Sequence, residues 1–172
     1  SGLNWEGKNP DDIISFEMVQ VNYDFMETLG IDMAAGRPFS PKYGTDSSKL
    51  IFNEAAIKAM GLVDPVGQMI SFWGNDAEIL GVAKDFHIES LHQEAKPMIF
   101  RLMPQHTNYI MVKIEAGKER ETIAKLQGFY KVYNPGFVLE YKFLDESYQA
   151  LYESEKRVAD LSKYFAGLAI VI

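Results

Sequence analysis

The sequence predicts an α+β fold with two lobes and a long C-terminal helix. Short segments in which apolar and polar residues alternate recur along the chain, as is typical of half-buried strands. Two stretches, 118–133 and 144 to the end, instead have apolar residues mostly three, four or seven positions apart, which indicates amphipathic helices. The middle of the chain is rich in strands and its flanks mix strands with helices, so the middle is predicted to be an inserted lobe.

The first third of the chain predicts a strand, a helix and a second extended segment. Residues 1–12 are polar and are predicted to be a loop, whereas 13–21 alternate and predict a strand. Asn22 is predicted to be the N-cap of a short helix over 23–29 that Gly30 ends. The extended segment 31–35 follows, and the glycine and prolines of 36–41 interrupt it.

The strand-rich middle contains one short helix. Asn53 is predicted to cap a helix over 54–60 that ends at Gly61. The remaining segments are predicted strands, and a hairpin-type linker, Gly74-Asn75-Asp76, joins the second to the third. These strands are expected at 50–52, 68–73, 77–84, 98–103 and 109–115.

The last third predicts a helix, a strand and a second, longer helix. The helix 118–133 follows Gly117 and stops at Asn-Pro-Gly, and 137–143 then alternates as a strand. From Leu144 a helical pattern runs to the end, with Glu153 and Arg157 spaced for a favourable ion pair. The last nine residues, 164–172, carry no charge, so they are either an element packed in a core or the beginning of a membrane helix.

Composition excludes several classes of function. The 172 residues contain 17 basic and 24 acidic side chains, a net charge of −7, and no basic stripe, so nucleic acid is not an expected partner. The absence of cysteine excludes disulfides, cysteine-ligated zinc and thiol catalysis. It does not decide between an oxidising and a reducing compartment.

One stretch is rich in metal-ligand and catalytic residue types: Asp85, His87, Glu89, Ser90, His92 and Glu94. His87 and His92 are five residues apart, which would point them about 140° apart on a helix and to opposite faces of a strand, so a polar turn is favoured over zinc. A triad of Ser90, His92 and Asp85 lacks a nucleophile elbow. Neither this stretch nor any glycine-rich loop predicts a catalytic, cofactor or metal site.

Aromatic residues near loops and strand ends form the remaining candidate site. Phe72, Trp73 and Phe86, with the adjacent His87 and with Trp5 as a further candidate, could form an exposed surface for a partner, or the rings could simply pack in the core. The pattern alone does not choose between the two.

Several segments in this order resemble one family, the extracytoplasmic core domain of ABC transporter permeases of the MacB/FtsX type, particularly permease-only proteins of Bacteroidetes. The segments, which together extend over nearly the whole chain, are WEGK at 5–8, VNYDFMETLGI at 21–31, AGRPFS at 35–40, FNEAA at 52–56, DPVG at 64–67, ILGVAKDFH at 79–87, FLDE at 143–146 and FAGL at 165–168.

The resemblance implies the domain organisation. A porter-like α/β lobe would comprise 13–45 and 117–150, and a β-rich insert would comprise 46–116. A stalk helix over 145–172 would enter the membrane at about 164. The family domain also has an opening strand and helix, so the resemblance implies that this lobe is incomplete here.

The resemblance also implies a function. Such a domain is not an enzyme, needs no cofactor, and lies on the extracytoplasmic side of the inner membrane. It would couple the motion of a separate cytoplasmic ABC ATPase to export or extraction of a substrate, in a permease dimer, with an accessory protein or lipoprotein as a further partner. Two alternatives are a periplasmic interaction module that uses Phe72, Trp73 and Phe86, and a metal-dependent enzyme that uses Asp85, His87 and His92.

Overall fold

The computed structural model of the chain describes residues 2–9, 11, 13–86, 95–106 and 108–144. These residues form seven strands and three α-helices, which confirms the predicted α+β class. The strands are β1 (Leu3–Asn4), β2 (Glu17–Val21), β3 (Met33–Gly36), β4 (Lys49–Asn53), β5 (Met69–Phe72), β6 (Asn75–Ala83) and β7 (Met98–Leu102). The helices are α1 (Phe25–Leu29), α2 (Glu54–Met60) and α3 (Glu119–Tyr133).

All seven strands belong to one mixed sheet. Its order is β1-β5-β6-β4-β7-β2, and β3 also pairs with β6. The pairs β4–β6 and β2–β7 are parallel, whereas β1–β5, β5–β6, β3–β6 and β4–β7 are antiparallel. Strand pairing therefore joins β2 and β3 to the strands of the predicted insert.

The chain divides into two compact units. Unit 1 consists of residues 1–86 and 94–113 and contains the sheet, α1 and α2, whereas unit 2 consists of 87–93 and 114–172 and contains α3. The predicted division into a lobe of 13–45 with 117–150 and an insert of 46–116 stays a prediction. The predicted stalk helix lies, from residue 145 onward, outside the described residues.

Strand β4 is at the centre of the unit 1 core because both of its faces are buried. Leu50 and Phe52 face one apolar cluster, which α2 covers with Ala56 and Met60. Ile51 faces a second cluster on the other side of the sheet, which contains Phe100 of β7 and residues of α1. Four consecutive buried residues at the end of β4 fit a strand with a layer on each side.

Asn53, the last residue of β4, joins three elements through one fully buried side chain. Its Oδ1 accepts hydrogen bonds from the N–H of Ala56, at 3.0 Å, and of Met98, at 2.8 Å. Its Nδ2 donates to the carbonyl of Lys96 at 2.9 Å. The predicted N-cap is therefore confirmed, and the same amide also holds the start of β7.

Capping residues, glycines and apolar spacing predicted some elements correctly and others incorrectly. The predicted α2 and α3 are confirmed, and Gly61 follows α2 in a left-handed conformation, with φ 68°. Asn22 is not a helix cap: α1 begins at Phe25 after Asp24, and the Asn22 side chain accepts a hydrogen bond from Tyr23 N–H instead.

The predicted strands at 109–115 and 137–143 are wrong. The structure has no strand in either segment, although both have the side-chain pattern of one. The pattern predicts which face a strand would bury, but a strand also needs hydrogen bonds to a neighbour, and the described residues provide no ladder partner for these segments.

Replacing Asn53 by Ala should lower the free energy of unfolding by about 2–4 kcal/mol, because it leaves two buried N–H groups and one carbonyl without a partner. Urea unfolding followed by circular dichroism measures the change. The matched control, Asn75→Ala, removes one exposed contact of 3.4 Å and should cost about 0.5 kcal/mol or less. Equal costs for the two variants would contradict the role given to Asn53.

Candidate functional site

The structure brings Phe72 and Trp73 together and places Phe86 elsewhere. The rings of Phe72 and Trp73 are 4.4 Å apart between centroids, and Phe72 is buried in the cluster beneath α2. Phe86 packs against the second cluster, where its ring stacks on Phe100 at 5.9 Å. His87 lies outside the described residues. The role of these residues as a partner surface stays a prediction.

Of the three members of the group that the structure describes, Trp73 is the exposed one, with 57% of its surface accessible. It forms the two-residue turn between β5 and β6 together with Gly74, and both residues have positive φ, 48° and 79°. Such a turn normally carries Asn, Asp or Gly, so a tryptophan at its first position adopts an uncommon conformation. The sequence predicted this hairpin but placed its linker at 74–76, one residue late at its start and two residues late at its end.

Contacts with the N-terminal segment fix the Trp73 indole. The backbone N–H of Trp73 donates to the carbonyl of Gly2 at 2.5 Å. The indole ring of Trp73 lies directly against the Gly2 backbone. A Cβ atom on Gly2 would be 1.9 Å from the indole Cδ1, so no other residue fits at this position without displacing the ring. The result is an indole held on one side and open to solvent on the other.

The two ends of the connection between β6 and β7 are held at the start of α2. Asp85 N–H donates to Glu54 Oε2 at 3.1 Å, and Asp85 Oδ1 accepts from Ala55 N–H at 2.9 Å. The other end is held through the Lys96 carbonyl by Asn53. Sequence analysis identified Asp85 only as a possible ligand and missed its partner Glu54, because the two are 31 residues apart.

These contacts give Asp85 a structural role, and the metal and triad interpretations of this stretch stay hypotheses. Among the described residues, no group of three or more His, Cys, Asp or Glu side chains could hold a metal ion. The other members of the predicted cluster, His87, Glu89, Ser90, His92 and Glu94, lie outside the described part of the chain. In that part, no helix has the length and apolar content needed to cross a membrane.

Unit 1 also contains an ion pair between the partly exposed Arg37 and the buried Asp46. Asp46 is fully buried, and its two carboxylate oxygens each accept a hydrogen bond of 2.7 Å from Arg37. Oδ2 also accepts from Ser40 N–H at 2.9 Å, and the Arg37 guanidinium lies 3.9 Å from the Tyr43 ring centroid. These partners occupy both oxygens, so the pair fastens the connection between β3 and β4 rather than offering a site to a ligand.

The same hydrogen bonds set the protonation behaviour of the pair. Those from Arg37 lower the pKa of Asp46 below its ordinary value against the opposing effect of burial, and the Ser40 N–H contributes in the same direction. The hydrogen bond to Asp46 likewise raises the pKa of Arg37. Both groups are therefore charged at neutral pH.

Removing this carboxylate should destabilise the protein in a pH-dependent way. Asp46→Asn should lower the free energy of unfolding by about 2–4 kcal/mol at pH 7, because Arg37 loses a buried partner. The pKa of Asp46 is lower in the folded state, so its stabilisation is complete above the unfolded pKa, near 4, and is lost as pH falls through the folded pKa. The difference from the wild type should therefore shrink below about pH 4, as measured by urea unfolding across pH.

The control for this experiment is Asp32→Asn, which breaks the exposed pair of Asp32 with Lys84, 3.2 Å apart. We expect Asp32→Asn to lower the free energy of unfolding by less than about 1 kcal/mol at any pH. A deficit for Asp46→Asn that does not change between pH 7 and pH 3 would contradict the assignment.

The two tryptophans should differ in their access to solvent. Trp5 is 8% exposed and donates its indole N–H to the Met60 carbonyl at 3.1 Å, whereas Trp73 is 57% exposed. We expect acrylamide to quench one component of the fluorescence strongly and the other weakly. Trp73→Phe should remove the accessible component and Trp5→Phe should leave it. The reverse assignment would overturn the placement of Trp73.

Comparison with known proteins then gives the fold. No protein-family model and no curated protein matches the chain. Its structure is similar to the periplasmic region of MacB from Actinobacillus actinomycetemcomitans, with a TM-score of 0.51 and 13% identity over 78% of this chain. The match covers 64% of that MacB region, so the chain spans less than two thirds of it.

A second similar structure is the extracellular domain of the ABC-type transporter YknZ from Gram-positive bacteria. It has a TM-score of 0.49 and 14% identity, and the match covers 72% of this chain and 69% of that one. At such low identities the MacB likeness shows a shared fold and no more. The chain has the fold of a MacB-like periplasmic domain.

Proposed function

We propose that this chain is the extracytoplasmic domain of an ABC transporter permease. The observation that carries the proposal is the fold shared with the MacB periplasmic region over 78% of the chain. The ordered series of sequence segments that resembles the permease family supports it independently. In this proposal the domain lies on the outer side of the inner membrane and contributes no catalytic residue, cofactor or metal.

The proposed mechanism is the transmission of motion. A cytoplasmic ABC ATPase would hydrolyse ATP, and the segment 145–172 would carry the movement outward as a lever to export or extract a substrate. A lever is useful only if the body it moves does not deform. Two features of unit 1 support the proposal: both faces of β4 are buried, and hydrogen bonds of Asp46 and Asn53 fasten its connections.

A second candidate function is recognition of a partner outside the membrane. The observation that favours it is the placement of Trp73. Its indole is exposed and is held against Gly2, and its backbone has an uncommon conformation. Phe86 and His87 would form a separate contact, since Phe86 packs in the other cluster. The partner would be an accessory protein or lipoprotein, and the permease would act as a dimer with its ATPase.

The lever can be tested in the full-length permease, purified with the ATPase that accompanies it. The chain has no cysteine, so in a full-length permease whose other cysteines are replaced, Asn75→Cys provides a single site for a spin label on unit 1. We expect the distance between labels in the two copies to change between ATP and ADP. Two glycines inserted after Glu155 should abolish the change, because each costs about 1 kcal/mol of helix stability.

The matched control is the same insertion after Gly7, in an exposed turn with open space around it. This insertion should leave the nucleotide-dependent distance unchanged. If both insertions behave like the wild type, the lever is wrong. If no ABC ATPase accompanies the full-length protein, the permease function itself is wrong.

A further inference from the structure

Strand β7 carries one charged side chain, the half-buried Arg101, among four buried residues. Its guanidinium carbon lies 5.7 Å from the centroid of the Phe72 ring, and that ring lies 4.4 Å from the ring of Trp73. The two distances limit the separation of guanidinium and indole to about 10 Å, the length of three extended residues. All three residues belong to unit 1, and we call them the cation–aromatic site.

Arg101 has no acidic partner in the part of the chain that the structure describes. Its neighbours in the sheet are Leu50 of β4 and Gln20 of β2. The ion pairs of the described residues use other cations, namely Arg37, Lys49, Lys84, Lys96, Lys118 and Lys125. The Phe72 ring attracts the guanidinium but accepts no hydrogen bond in its plane, so the N–H donors of Arg101 remain available.

A half-buried charge of this kind usually has a counter-ion, because a carboxylate offsets the cost of lost hydration. Acidic side chains outnumber basic ones by 24 to 17 in this chain, yet none of the described ones lies against Arg101. Asp76 is close in sequence to Trp73 but lies on the other face of the sheet, because it is opposite Ser71. An anion from another molecule would therefore satisfy the guanidinium.

We propose that the cation–aromatic site binds an acidic peptide segment, with a carboxylate on Arg101 and an apolar side chain on Trp73. This contact rests on the second candidate function, partner recognition, and specifies its chemistry. A guanidinium binds a carboxylate through two parallel hydrogen bonds. The indole adds a broad apolar surface that the contact with Gly2 already holds in place, so little side-chain freedom is lost on binding.

The separation of the two groups specifies the peptide. In an extended chain, residues two positions apart face the same side and are about 6.5–7 Å apart. That spacing lies within the limit set by the Phe72 ring, so the segment carries Asp or Glu two positions from a large apolar residue. Sequence analysis missed Arg101 because β7 and β5 are not neighbours in the sheet, and only its curvature brings Arg101 to Phe72.

A lipid phosphate is the competing anion. An anionic bilayer repels a chain with a net charge of −7, and such surfaces attract clusters of several basic residues rather than one. A peptide segment brings one carboxylate to one guanidinium without a charged surface behind it. Tryptophan and arginine are also enriched at the energetic centres of protein interfaces. These observations favour a peptide.

Nuclear magnetic resonance of the isotope-labelled chain tests the proposal, because its two tryptophans give only two indole N–H signals. The probe is the capped peptide acetyl-Gly-Glu-Gly-Leu-Gly-amide. We expect it to shift the Trp73 signal with a dissociation constant on the order of 1 mM and to leave the signal of the buried Trp5 unchanged. The same peptide with Gln in place of Glu should bind about fivefold more weakly or worse.

Arg101→Met separates a binding role from a structural one. It keeps an apolar contact with Phe72 and removes a charge that no described carboxylate pairs, so the midpoint of urea unfolding should stay the same or rise. Peptide binding should weaken about tenfold, because the hydrogen bonds to the carboxylate are lost. The matched control, Lys58→Met, removes an exposed cation of α2 and should leave the affinity unchanged.

An unchanged Trp73 signal at about 10 mM peptide, equal affinity for the Glu and Gln peptides, or equal losses in the two variants overturns the proposal. A lower unfolding midpoint in Arg101→Met gives the residue a structural role and also overturns it. So does binding to phosphatidylglycerol vesicles that Arg101→Met abolishes while the peptide has no effect, since this result assigns the site to a lipid phosphate.

Failure of this contact is distinguishable from failure of the proposed function. If the full-length protein binds a partner through Trp73, and Trp73→Ala abolishes binding but Arg101→Met does not, partner recognition stands and the acidic contact is wrong. The peptide titration uses the chain alone, so its result does not depend on whether an ABC ATPase accompanies the full-length permease.

Discussion

Burial of β4 on both faces is the constraint on which the rest of unit 1 depends. A strand without a solvent-facing side needs an apolar layer above and below it, which α2 and α1 help to provide. Its polar end must also be satisfied inside the protein, and the Asn53 amide does this by binding the start of α2 and of β7. Thus the four-residue segment 50–53 contacts the apolar layer on each side of the sheet and also holds the first residues of α2 and β7.

Elements whose determinants lie within a few residues could be predicted from the sequence. The cap at Asn53 and the stop at Gly61 define α2, and the spacing of apolar residues defines α3. Pairing between distant segments could not be predicted. The parallel pair of β2 with β7 joins Glu17 to Met98, and nothing in either segment specifies the other. The same limit explains 109–115 and 137–143, where a strand pattern exists without a ladder among the described residues.

The candidate site shows this limit in its side chains. Phe72 and Phe86 are similar residues near strand ends, but one packs beneath α2 and the other against Phe100 in the second cluster. Phe72 is the last residue of β5, whereas Phe86 lies in the loop after β6, so contacts with distant segments decide which cluster each one joins. The position of the Trp73 indole depends on a contact with Gly2, which is 71 positions away. It also depends on where the turn between β5 and β6 lies, which Gly74 by itself does not specify. The sequence could indicate these aromatic residues as a candidate partner surface, but it could not indicate which of them is exposed.

Helix α3 exposes Phe129, Val132 and Tyr133 on one face, and this exposure limits the stability of the helix itself. An isolated helix of 15 residues is marginal in water, and most helical stability in proteins comes from packing of an apolar face. Because α3 has no buried residue, only part of its stripe contributes to that packing. Covering these three side chains would add apolar burial to a helix that has little of it, so any segment or molecule that covers them also stabilises α3. Helix order and occupancy of the face are therefore thermodynamically linked, whichever surface covers it.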